Sequence, residues 1–91
     1  MHYILTLEGK ENEGAYAVTA QDGSKILQIF EERDDAERFV LMLEATDHPP
    51  MSVYEIECEQ AIAACESFGY NYTIITSDDF VIPTTEEYDY I

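Results

Sequence analysis

Apolar spacing changes character twice between Lys25 and Ile56. Lys25-Ile26-Leu27-Gln28-Ile29-Phe30 is a run of strand formers, and Ala36, Phe39, Val40 and Leu43 then lie at intervals of 0, 3, 4 and 7 along one helical stripe. Met51 to Ile56 returns to strand-like composition after Pro49-Pro50, which no helix continues across. Tyr3, Leu5 and Leu7 alternate on one face of a first strand, Tyr16 to Thr19 forms a second, and Tyr72 to Thr76 reads as a fifth. Gln21-Asp22-Gly23-Ser24 joins the second and third strands, because Gly23 tolerates the positive φ of a tight hairpin turn. A second helix, Glu59 to Phe68, ends at Gly69, a favoured C-terminal cap.

The stretch FEERDDAERF is dense in charge, and its acids (Glu31, Glu32, Asp34, Asp35, Glu37) read as a helix start rather than a metal site. Asp34 and Glu37 have capping-box spacing, acids in a first turn meet the positive end of the helix dipole, and Arg38 is four residues beyond Asp34. The D-x-[DN]-x-[DN]-G pattern of a calcium loop is missing. On a helical wheel Leu41 points about 140° away from Ala36, outside the apolar stripe. It is a lone surface leucine or part of a docking face.

One domain is expected from 91 residues, with residues 1–83 folded and 84–91 forming an acidic, tyrosine-containing tail after Pro83. Twenty acidic residues against four basic ones give a net charge of −16, which excludes ordinary nucleic-acid and anionic-membrane binding. No apolar run reaches the roughly 20 residues of a membrane span, and MHYILTLEGK lacks the plan of a signal peptide. Cys58 and Cys65 on one helix would be about 10 Å apart from the helical rise, too far for a disulfide, so two free thiols in a reducing, cytoplasmic setting are expected. Cys58, Ala61, Ile62, Cys65 and Phe68 share one arc, and with Phe39, Val40 and Leu43 the residues Ile62, Cys65 and Phe68 are the expected buried stripes. Cys58 opens its helix, where a thiolate is favoured, yet neither His2 nor His48 is spaced to act as its base. Dinucleotide, Walker, C-x-x-C and H-E-x-x-H signatures are absent, and no cofactor is expected. Tyr88, Tyr90 and Ile91 in EEYDYI are large apolar side chains in a polar tail: they dock back on the domain or form a short motif for a partner.

ENEG in the first loop, FEERDDAERFVLMLEATDHP, CESFGY and the late VIP with its acidic tail resemble a family of small acidic proteins of unknown function from cyanobacteria and plastids, the DUF3110 family. The likeness covers nearly the whole chain and is most specific in the DDAERF helix and in Cys65, Gly69 and Tyr70; Ala64 stands where the family has an aromatic residue. It implies a source and a localisation, but no activity, cofactor or catalytic residue.

Element order then points to an α+β fold: a two-layer sandwich of a mixed four- to five-stranded sheet with two helices on one face, ferredoxin-like in general form but with an extra N-terminal hairpin. Two functions fit. One is a non-catalytic interaction or regulatory module that docks its acidic surface on a larger protein with a basic surface in a cyanobacterial cell, with Leu41, Tyr88, Tyr90 and Ile91 as contacts; self-association stays open. The other is a small thiol-dependent enzyme or redox-responsive regulator that uses Cys58.

Overall fold

Asp22-Gly23 does locally what its sequence asks. The computed structural model describes residues 1–9, 14–46, 49–78 and 88–91, with 88–90 described by backbone alone. Strands β1 (His2–Leu7), β2 (Tyr16–Thr19) and β3 (Lys25–Phe30) come first, and the β2–β3 turn places Gly23 at φ 88°, with its N–H donating to Ala20 O at 2.9 Å. The Asp22 carboxylate accepts the Ser24 hydroxyl at 2.7 Å and the Ser24 N–H at 2.9 Å, and these bonds hold its pKa below the usual value. Helix α1 (Arg33–Ala45), strand β4 (Met51–Ile56), helix α2 (Cys58–Phe68), strand β5 (Asn71–Ile75) and the short strand β6 (Tyr88–Tyr90) follow. The loop after Gly9, His48 and residues 84–87 of the tail lie outside the described residues.

All six strands share one mixed sheet. β1 pairs antiparallel with β4 along its whole length, from His2↔Ile56 to Leu7↔Met51. On β3, Leu27 is paired with both Ala17 and Tyr72, and Phe30 with both Tyr3 and Ile75. A strand has only two edges, so β5 occupies one edge of β3, running parallel to it, while β2 and β1 divide the other. A bridge between Thr6 and Ala15 closes the junction between β1 and β2. β6 pairs antiparallel with the outer edge of β2, from Tyr16↔Tyr90 to Val18↔Tyr88.

The α+β class and mixed sheet match the expectation, but the helices do not share a face. Leu5, Phe30 and Met51 pack with Ala36, Phe39, Val40 and Leu43 of α1. Their strand neighbours Ile4 and Ile29 pack instead with Ala61 and Cys65 of α2. Successive strand residues point to opposite faces, so α1 covers one side of the sheet and α2 the other. Strand order gives the reason. The β3–α1–β4 crossover passes over β1 in one direction, and the β4–α2–β5 crossover returns across β1 and β3 in the other. Crossovers of the same hand travelling in opposite directions must lie on opposite faces.

α1 also starts differently. Its cap is Glu32, without a side-chain capping bond, rather than Asp34. Glu37 is taken by Arg33 Nε at 3.1 Å, and Arg38 pairs with Asp35 at 3.2 Å instead of with Asp34. Asp34 and Asp35 still occupy the first turn, where the helix dipole favours acids.

Candidate functional site

The two helices fill their sides of the sheet unequally. α1 presents Phe39, Val40 and Leu43, large enough to reach Leu5, Phe30 and Met51 and close the space. α2 presents Ala61, Ala64 and Cys65 to Ile4, Thr6 and Leu27, and such short side chains leave a gap. The result is a cavity of about 290 Å³ between α2 and the β1–β4 half of the sheet. Tyr54 and Ile56 of β4 flank it, and Ala15 and Ile91 border it from the β2–β6 side. Ile91 is held there by two backbone bonds, Ala15 N–H to Ile91 O at 2.7 Å and Ile91 N–H to Ala15 O at 2.9 Å.

Phe68, expected in the core, is 72% exposed, and Ile62 is only half-buried, while Ala61 is buried. α2 meets the sheet through Ala61 and Cys65, one turn apart, and then stops. Gly69 adopts φ 76° and the Tyr70 N–H donates back to Cys65 O at 2.8 Å. That reversal sets Tyr70 beside Phe68, and the rings stack with centroids 6.0 Å apart at the cavity rim.

Further apolar side chains are exposed on the same side of the sheet. Tyr54 pairs with Ile4, Tyr72 with Leu27 and Ile74 with Ile29, so all three share the α2 face of the sheet, and all three are exposed. With Phe68 they make four large exposed apolar side chains on one side of the molecule. No single sequence window shows this grouping, because β4, α2 and β5 each contribute to it.

The residues singled out from the sequence are not all brought together. Leu41 is 66% exposed on α1 and borders a shallow groove with Val40 and Val53, on the side of the sheet away from Ile91. Tyr88 and Tyr90 belong to β6 through their backbone, and the Ile91 side chain packs against the α2 cluster. Of the two states open to the tail, docking on the domain is the one that residues 88–91 adopt.

Both cysteines are free. Cys58 is half-buried at the start of α2, whereas Cys65 is buried, and burial pushes its thiol pKa up. The expected result of limiting iodoacetamide at neutral pH is modification of Cys58 with Cys65 protected until denaturant is added. Equal rates in the folded protein, followed by peptide mapping, would contradict the packing of α2. His2 pairs with Ile56, close in sequence to Cys58, but no hydrogen bond joins the imidazole and the thiol among the described residues. Among those residues no three His, Cys, Asp or Glu side chains converge as a metal site, and no helix is long and apolar enough to cross a membrane.

Residues 2–85 match the model of a family described as Domain of unknown function (DUF3110). No curated protein and no solved structure matches the chain.

Proposed function

Because the chain belongs to the DUF3110 family of domains of unknown function, we propose a role argued from its surface: a non-catalytic interaction module that docks on a larger protein with a basic surface, in the cytoplasm of a cyanobacterial cell. The observation that carries this reading is the grouping of Tyr54, Phe68, Tyr72 and Ile74, exposed on one face of a chain with net charge −16. Four outward aromatic and aliphatic side chains on one side of the domain, two of them (Tyr54 and Phe68) lining a recess, suit the buried centre of an interface, where such residues dominate binding. The surrounding charge supplies steering: it speeds encounter with a basic surface and opposes self-association of two equally acidic copies. Ile91 is proposed as a further contact at the margin of this face, Tyr88 and Tyr90 of β6 as additional contacts, and Leu41 as a second, separate contact.

Affinity capture from a cyanobacterial lysate tests the reading. The expected result is a basic partner whose capture falls steeply between low and high salt, since screening weakens attraction between exposed charges. Phe68→Ala combined with Tyr72→Ala should reduce capture by at least about tenfold, because exposed anchors of this kind each contribute over about 1 kcal/mol to a buried interface. Thermal stability should change little, since both side chains are exposed in the free domain. Undiminished capture by the double variant, or capture indifferent to salt, would refute the proposal.

A further inference from the structure

We infer that the cavity beneath α2 is a binding site for a small, neutral, mainly apolar molecule carrying one hydrogen-bonding oxygen. This goes beyond the docking role and does not depend on it. Among the described residues the lining contains no charged side chain: its walls are Ile4, Leu27, Ala61, Cys65 and their apolar neighbours. An ionised ligand would lose its hydration there without gaining a counter-charge, and an anion would also meet the field of a chain at −16. Volume sets the size. About 290 Å³ is at the lower end for ligand pockets, suited to one or two rings and too small for a nucleotide.

Thr6 supplies the polar element. It lines the cavity, is 1% exposed, and its Oγ1 has no hydrogen-bond partner among the described residues. A buried hydroxyl left unpaired is destabilising, and proteins ordinarily pair such groups. A step of about 120° in χ1 carries the hydroxyl to the position of the methyl group, and the methyl to that of the Cβ hydrogen, so the Thr6 side chain can turn its hydroxyl to the place its methyl held. A ligand hydroxyl or carbonyl then provides the missing partner. A leucine or phenylalanine inserted from a partner protein would fill the space but leave the hydroxyl unmet, which is why a small oxygen-bearing molecule is the better occupant. The aromatic rim of Tyr54, Phe68 and Tyr70 suits the exposed edge of a planar ring.

The test uses 2-naphthol, naphthalene and 2-naphthoate as probes of matched shape, followed by naphthol fluorescence and by amide shifts in NMR spectra of the full chain. Naphthol should bind saturably, shifting amides of β1 and α2, about three- to tenfold more tightly than naphthalene, the factor expected of one hydrogen bond. Naphthoate should bind more weakly than either. Thr6→Val keeps the shape and removes the hydroxyl, and should abolish the preference for naphthol while leaving naphthalene affinity unchanged. Ala64→Leu, made at an exposed helix position that reaches the cavity, should weaken all binding while leaving the circular dichroism spectrum intact. Absence of saturable binding, a preference that survives Thr6→Val, naphthoate binding as tight as naphthol, binding unaffected by Ala64→Leu, or shifts confined to other parts of the protein would each overturn the assignment.

Discussion

Replacing Phe39 by alanine should lower the unfolding free energy by about 3–5 kcal/mol, the range for truncating a fully buried phenylalanine. The ring is 2% exposed and lies 5.5 Å from the Phe30 ring and 6.0 Å from that of Tyr16, both centroid to centroid. Those neighbours come from separate strands, so a collapse into the vacated space would have to move the sheet as well as the helix. The remaining cavity therefore stays largely unfilled, and loss of two tilted aromatic contacts adds to the loss of buried area. Leu43→Ala, at another fully buried position of the same stripe, should cost roughly 2–5 kcal/mol. Urea titration checks both: the midpoint should fall markedly with the slope unchanged. Against a total stability of about 5–15 kcal/mol, Phe39→Ala removes a large share. A shift below about 1 kcal/mol would mean that α1 does not pack as described.

Deleting Tyr88 to Ile91 is the second large effect, expected to cost roughly 2–4 kcal/mol through the backbone bonds it removes. Ala15 and Ile91 exchange two such bonds, and antiparallel pairing repeats the arrangement two residues on, at Ala17↔Asp89. Removing β6 exposes the edge of β2 beside the buried Tyr16 and Ala17 and takes the Ile91 side chain from the second core cluster. Calorimetry of the shortened chain should show a lower melting temperature and faster amide exchange at Ala15 and Ala17. Melting unchanged by the deletion would show that β6 contributes nothing to the fold.

Local instructions were legible in the sequence and long-range ones were not. The Asp22-Gly23 turn, the Gly69 cap and the stripe of Ala36, Phe39, Val40 and Leu43 all stand where residue chemistry alone places them. Strands β2, β3 and β4 keep their expected bounds, and β5 shifts by one residue. Which face each helix covers depended on the order of β4, β1, β3 and β5, a relation between segments far apart in the chain that no local pattern encodes. Phe68 satisfied the helical wheel and still lies outside, because α2 ends before its last residue can reach the sheet. The cavity did leave a trace: Ala61 and Cys65 are slim where α1 has Phe39, Val40 and Leu43, and slim residues on a buried face imply unfilled volume. Thr6, with its buried hydroxyl, could be found only once the strands were assembled.

The union of Ala15 with Ile91 has a consequence for how the chain reaches its native state. Every turn and hairpin can form from residues already close in sequence, within microseconds by general experience of such elements. The outer edge of β2 must wait for a segment from the other end, and loops that long close at an entropic penalty before any contact rewards them. During synthesis the β2–β3 hairpin leaves the ribosome well before β6 and carries an uncovered, uncharged edge (Tyr16-Ala17-Val18-Thr19) until Ile91 has been made. An open edge of that composition is a template for pairing between nascent chains. Refolding yield should therefore fall as protein concentration rises, and more sharply for the chain shortened before Tyr88.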